Sequence, residues 1–249
     1  VKCSVVIPAR LGSTRLPRKV LADLGGKPVL WHTWNQVMAM DKLDEVVVAT
    51  DDAEILEVAQ AWGAKVVMTD PACTCGTERI ASILDTLQGD LILNVQADEV
   101  FINPKLLDAL VEEGSLGKAD IVTPVFQIER TEELFNPNLV KAVLNKQGQA
   151  LYFSRSTVPH VRGEAPESWI SQHCFYGHVG VYAYQRKVLK DYAKLPSSVL
   201  ESMERLEQLR FLESGYRIQT IPTDYHSIAI DTQQDLEQAS RLITPSVVS

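Results

Sequence analysis

Through the first half of the chain, short apolar runs alternate with stretches whose apolar positions recur every three or four residues. The runs, rich in β-branched residues, predict strands, and the recurrences predict helices. Lys2–Ile7 reads as a strand and Val29–Met40 as a helix. Glu45–Thr50 is a strand, followed by a helix over Ala53–Trp62 with Ile55, Val58, Ala59 and Trp62 on its apolar side. Lys65–Met68 is a short strand. Thr77–Leu87 is a helix with Ile80, Ile83, Leu84 and Leu87 on one face. Leu91–Val95 is a strand, and Pro104–Glu113 is a helix that opens with proline at its favoured first position. This alternation predicts an α/β fold with a doubly wound, mostly parallel sheet and helices on both faces.

The middle of the chain has a different pattern. Asp120–Ile128, Val140–Leu144, Gln149–Phe153 and Gly177–Tyr184 all read as strands, two of them joined by the turn N-K-Q-G. Ser156 to Cys174 has no periodicity and reads as a long surface loop near the active site. The expectation is one domain over 1–249 with a smaller β-rich insertion over 124–185. Helix returns at Leu200–Ser214, stopped by Gly215. Arg217–Pro222 and Ser227–Ile230 read as strands, and Gln233–Ile243 as the last helix.

Composition narrows the function. The 249 residues carry a net charge of −8, which argues against a general nucleic-acid binder. No apolar run approaches the ~18–20 residues of a membrane span. The first residues carry no basic–apolar leader pattern. Cys3, Cys73, Cys75 and Cys174 form no C-x-x-C pair. Reduced thiols in a cytoplasmic protein are expected.

Against this acidic background, Arg10, Arg15, Arg18 and Lys19 cluster directly after the first strand, in V-V-I-P-A-R-L-G-S-T-R-L-P-R-K. Gly12, Ser13 and Thr14 add small side chains and free backbone N–H groups. A cationic loop at a strand's carboxyl end suits phosphate binding. The plain alternative is a solvated basic loop. The stretch lacks G-x-x-x-x-G-K-[ST] and G-x-G-x-x-G, so neither a P-loop NTPase nor a dinucleotide-binding dehydrogenase is supported. Asp51, Asp98 and Asp231 each follow an apolar strand. One such acid is most simply a helix N-cap, which fits Asp51 or Asp52. The five histidines are scattered and offer no zinc cluster.

The cationic loop resembles the opening of the sugar nucleotidylyltransferases and, more narrowly, of the CMP-Kdo synthetases, the 3-deoxy-manno-octulosonate cytidylyltransferases. Further segments resemble that family in order: V-V-V-A-T-D-D, C-G-T-E-R (75–79), N-V-Q-A-D-E (94–99), F-N-P-N-L-V-K-A-V (135–143), A-L-Y-F-S-R-S (150–156), H-V-G-V-Y-A-Y (178–184), L-E-Q-L-R (206–210) and I-D-T-Q-Q-D-L-E (230–237). The chain departs from the pattern at several places. Arg18 and Ala97 stand where glycine is usual, Cys75 replaces serine, Val100 replaces proline, and Gln233–Gln234 replaces Pro–Glu.

The resemblance implies a Rossmann-like nucleotidyltransferase fold and a set of roles. Arg10, Ser13 and Lys19 would hold the triphosphate. Pro8, Ala9, Cys75, Gly76, Thr77 and Arg79 would surround cytosine and ribose. Asp98 and Asp231 would bind Mg2+, which takes hard oxygen ligands and keeps several waters. Gln96, Arg155, His178, Tyr182, Glu207 and Gln208 would bind the sugar acid. Arg10, Lys19, Asp98 and Asp231 would carry catalysis.

The implied reaction is CTP + 3-deoxy-D-manno-octulosonate → CMP-Kdo + diphosphate, serving lipopolysaccharide biosynthesis, with a homodimer as the working unit. The substrates CTP and an acid sugar are the expected partners, with no nucleic acid and no membrane. The rivals are a CMP-sialate synthetase, a sugar-1-phosphate nucleotidylyltransferase, a nucleotide-diphosphosugar glycosyltransferase, in which the cationic first loop is less expected, and, from another class, a regulatory nucleotide-binding module without turnover.

Overall fold

A computed structural model describes residues 1–13, 16–226, 230 and 232–243. The first half follows the alternation closely. β1 (Cys3–Ala9) leads through a small antiparallel ribbon, β2 (Asp23–Leu24) and β3 (Lys27–Pro28), into α1 (Val29–Met38). β4 (Glu45–Thr50), α2 (Ala53–Ala61), β5 (Lys65–Met68), α3 (Gly76–Ser82), β6 (Leu91–Asn94) and α4 (Pro104–Ser115) follow. β5, β4, β1 and β6 lie side by side and parallel.

The period-two pattern of these strands feeds two cores. Val5 and Ile7 of β1 and Leu91 and Leu93 of β6 pack with Leu30 and Val37 of α1 and Leu107 and Leu110 of α4. Val6 and Ile92 face the other way, onto Ile80 of α3. Helices therefore cover both faces, as a doubly wound sheet requires.

Past α4, β7 (Ile121–Gln127), α5 (Thr131–Phe135), β8 (Lys141–Leu144), β9 (Ala150–Ser154), α6 (Trp169–Gln172), β10 (Tyr176–His178), β11 (Tyr182–Gln185), α7 (Arg186–Tyr192), α8 (Val199–Glu204), α9 (Gln208–Glu213), β12 (Ile218–Pro222) and α10 (Gln233–Ile243) complete the described elements. The strands of this half join the same sheet rather than forming a separate one, in the order β6-β11-β7-β10-β8-β9, with β12 parallel to β7. β11 runs antiparallel between β6 and β7. The N-K-Q-G turn closes the β8–β9 hairpin, where the Asn145 side chain accepts from the N–H groups of Gln147 and Gln149.

Three sequence expectations are corrected. The strand expected over Gly177–Tyr184 is two strands, β10 and β11. The Thr123 hydroxyl, reaching from β7, lies 2.8 Å from the Val181 carbonyl and 2.9 Å from His178 Nε2. The Val181 N–H turns back to the Val179 carbonyl, a three-residue turn that interrupts the ladder. The helix expected over Leu200–Ser214 is α8 and α9, separated at Arg205. That residue has φ 53° and donates its N–H to the Glu201 carbonyl. The helix expected over Thr77–Leu87 ends at Ser82 and continues only as a 3-10 turn over Leu84–Thr86. The loop from Ser156 to Cys174 contains α6, whose Trp169 is buried. The strand expected over Ser227–Ile230 falls mostly outside the described residues.

Candidate active site

The carboxyl ends of β1 and β6 and the amino end of α3 enclose a cavity of about 370 Å3. The fold brings them together through Gly76, the first residue of α3. A side chain on Gly76 would meet the Pro8 ring at 3.3 Å and the Gln96 amide at 3.7 Å. The absence of a side chain there lets the helix start against the ends of both strands.

Of the residues expected at the nucleotide, Pro8, Ala9, Arg10, Ser13, Lys19, Cys75, Gly76 and Arg79 all line this cavity. Thr77 stands behind the wall, buried, with its N–H donated to the Glu207 carboxylate at 3.1 Å. Gln96, Asp98 and Glu207 also line the cavity.

The cations are held differently from one another. Arg10 is exposed and makes no ion pair with a described residue. Lys19 reaches across the cavity to Asp98 at 2.6 Å, with both side chains mostly buried. Arg79 is almost fully buried, pairs with Asp51 at 3.0 Å and donates to the Thr69 hydroxyl. The two acids after β4 thus divide their work. Asp52 caps α2, accepting from the N–H groups of Glu54 and Ile55, and Asp51 balances Arg79.

Arg18 adopts φ 59°, in the left-handed region that glycine enters without cost, and forms an exposed ion pair with Glu54. The glycine usual at this position in the resembling family has a backbone reason. Among the described non-glycine residues only Arg18 and Arg205 have positive φ, so Ala97 sits in an ordinary conformation; its carbonyl accepts from the Thr33 hydroxyl.

The Cys75 thiol caps α3, accepting from the Glu78 N–H at 3.4 Å. Burial, and secondarily the Glu207 carboxylate, push this thiol up to about 12, so it stays protonated.

The metal expectation rests on Asp98 alone within the described residues, because Asp231 lies outside them. No group of three or more His, Cys, Asp or Glu side chains among the described residues could hold an ion. A single carboxylate facing a phosphate cavity nevertheless fits Mg2+, which takes one or two protein carboxylates and fills its remaining positions with phosphate and water.

The remaining sugar-side residues are not on the cavity wall. Arg155, just past β9, donates Nε to the Glu204 carbonyl at 2.7 Å and Nη1 to the Pro137 carbonyl at 3.2 Å. Its Nη2 has no partner among the described residues. Its backbone is fixed by the Glu204 carboxylate, which accepts the Arg155 N–H, and by the Lys141 ammonium, which donates to the Arg155 carbonyl at 2.6 Å. Lys141 is fully buried and also donates to the Asn136 and Leu139 carbonyls. Burial, with Arg155 nearby, shifts its ammonium downward. His178 and Tyr182 are buried with ring centroids 5.4 Å apart, and burial lowers the His178 imidazole to about 3. Gln208 is buried and its Nε2 has no hydrogen-bond partner among the described residues.

Sequence reasoning missed Lys141 and Glu204. The available signal was a lysine inside the apolar run V-K-A-V, a position that is costly unless its ammonium is fully hydrogen-bonded.

The family model described as cytidylyltransferase matches residues 4–219. The chain is 44% identical over 240 residues to the 3-deoxy-manno-octulosonate cytidylyltransferase of Chlorobium phaeovibrioides, covering 95% of each chain. It is 40% identical over 246 residues to the enzyme of the same name from Thermodesulfovibrio yellowstonii, covering 96% of each. A solved structure of CMP:2-keto-3-deoxy-manno-octonic acid synthetase complexed with CTP superposes with a TM-score of 0.90 at 36% identity, over 97% of this chain and 98% of that one.

These matches, on a doubly wound sheet with a cationic cavity at its strand ends, place the chain in the cytidylyltransferase family. Within it, the chain belongs with the 3-deoxy-manno-octulosonate cytidylyltransferases. No helix among the described residues is long and apolar enough to cross a membrane.

Proposed function

We propose that the protein transfers the cytidylyl group of CTP to 3-deoxy-D-manno-octulosonate, giving CMP-Kdo and diphosphate, the activated sugar donor for lipopolysaccharide assembly. The observation that carries this reading is the meeting of Arg10, Lys19 and Asp98 with the Cys75–Gly76 wall in one cavity. It offers cations for a triphosphate beside a shaped wall for a base and ribose.

The anomeric hydroxyl gives up its proton to solvent and attacks the α-phosphorus in line as the bond to the β-phosphate oxygen breaks, the electron pair of that bond leaving with diphosphate. Negative charge grows on the phosphoryl oxygens and on the departing diphosphate. Arg10 and Lys19 are placed to bind and orient that charge, which is where most of the rate enhancement in such transfers arises. Asp98 keeps Lys19 aimed across the cavity in the free protein. Mg2+ would be held by Asp98, with Asp231 as the expected second carboxylate, and when bound it supplies charge neutralisation on the phosphates. On the acceptor side, the Arg155 guanidinium, tied at Nε and Nη1 to two backbone carbonyls, is the candidate for the sugar carboxylate, which Nη2 would meet with a charge-assisted hydrogen bond.

We further infer a homodimer in the cytoplasm, formed through the β-rich segment 124–185. Its edge strand β9 exposes Leu151, and the cysteines are free thiols. Light scattering that showed a monomer at micromolar concentration would remove the dimer.

Pyrophosphate release with CTP, the acid sugar and Mg2+ tests the reaction. Release should require both substrates, with UTP, ATP and GTP turned over far more slowly because a mismatched base leaves buried polar groups unpaired. Equal turnover with ATP would refute the cytidylyl assignment.

A further inference from the structure

The nucleotide wall is built from a residue that is a weak cap for its helix. Side-chain oxygens of serine, threonine, aspartate and asparagine cap helices well, whereas a thiol is a poor acceptor. At Cys75, two partners distant in sequence reinforce the wall. Glu207 accepts the Thr77 N–H at 3.1 Å. Tyr192, the last residue of α7 and 3% exposed, places its hydroxyl 3.3 Å from Cys75 Sγ.

The Tyr192 ring is itself fixed. The Arg210 guanidinium lies over it at 4.8 Å from the centroid, and the Phe211 ring packs beside it at 5.6 Å. Arg210 is tied in turn to Glu201. A phenol O–H is a stronger donor than a thiol S–H. Tyr192 therefore donates to the sulfur, and the thiol proton is left to face Glu207 and the cavity.

We propose that Tyr192 is a positioning residue of the nucleotide site, holding the Cys75 thiol in one rotamer so that the Cys75–Gly76 wall meets the nucleotide in a fixed shape. The inference rests on the nucleotide reading of this cavity. It is particular to a chain with cysteine at position 75. A serine there, usual in the family it resembles, caps α3 unaided and needs no second donor.

Calorimetric titration of CTP into four proteins tests this: wild type, Tyr192→Phe, Cys75→Ser and the double variant. Phenylalanine keeps the ring under Arg210 and removes only the hydroxyl. In the wild-type background the substitution should weaken CTP binding by about three- to tenfold, the range spanned by one neutral hydrogen bond. In steady state it should raise KM for CTP more than it lowers kcat. In the Cys75→Ser background the same substitution should change CTP affinity by less than about twofold, since the two positions act as one unit. Equal losses in both backgrounds, or no loss with Cys75 in place, would overturn the role of Tyr192 alone. A wild-type protein that did not bind CTP would instead overturn the nucleotide reading beneath it.

Discussion

In the parallel half of the sheet, charged side chains at the strand ends pair with one another across or behind the cavity, Lys19 with Asp98 and Arg79 with Asp51. In the antiparallel half, the buried Lys141 and the half-buried Arg155 pair mainly with backbone. Lys141 donates to three carbonyls, and Arg155 gives Nε and Nη1 to two more. On the proposed reading the Lys19–Asp98 pair is exchangeable, because a triphosphate and its metal would replace each partner with a group of the same charge, whereas the buried Arg79–Asp51 pair stays in place. The arrangement in the antiparallel half is fixed, because a buried ammonium that lost its carbonyls would be left unpaired at high cost. If the proposed function holds, an exchangeable nucleotide side and a rigid acceptor side follow from the same sheet.

The largest effect should come from breaking the exchangeable side. Asp98→Asn should lower kcat by about a hundredfold or more, the scale on which single charged contacts act at a transferring phosphoryl group. Its thermal unfolding should remain cooperative, because Asp98 packs in no apolar cluster. Wild-type-like pyrophosphate release at limiting Mg2+ would remove Asp98 from the phosphate and metal machinery.

A smaller effect sharpens the rigid side. Burial lowers the His178 imidazole from 6.5 to about 3. The folded protein therefore keeps it neutral while the unfolded chain binds a proton below 6.5. Stability from this group is complete above pH 6.5 and is lost as pH falls toward 3. The loss approaches about 1.4 kcal/mol per pH unit. Thermal melts between pH 6.5 and 5 should fall with acid in the wild type and flatten in His178→Gln. Parallel slopes would show that His178 is not held neutral.

How much of this was legible in the sequence depended on where the determining group lay. The strand-loop-helix pattern around Pro8 to Lys19 is local, and the cavity forms where it suggests. Arg79 carried a motif, but its partner did not stand out, because Asp51 and Asp52 fit the N-cap equally well until the backbone placed Asp52 on α2. The break at Arg205 had no signal, since E-S-M-E-R-L-E-Q contains neither glycine nor proline. What holds that segment is the Glu204 carboxylate bonded to Ser154 and Arg155, some fifty residues earlier. The break between β10 and β11 likewise depends on the hydroxyl of Thr123, on another strand.

The smallest effect concerns the loop that carries Lys19. Arg18→Gly relieves a left-handed residue and removes an exposed ion pair, two small changes of opposite sign. The melting temperature should move by no more than about 3 °C either way. A larger drop would mean that the Arg18–Glu54 contact fixes the loop.

The division between an exchangeable nucleotide side and a fixed acceptor side is tested most directly by crossed measurements on Lys19→Met and Arg155→Lys. CTP affinity is read by calorimetry and sugar KM by pyrophosphate release. Lys19→Met should weaken CTP by about tenfold or more, the value of a hydrogen bond to a charged group. Arg155→Lys keeps charge but loses the planar fork, so it should raise the sugar KM and leave CTP affinity unchanged. If Arg155→Lys weakened CTP while the sugar KM stayed where it was, the two halves would not divide the substrates as described.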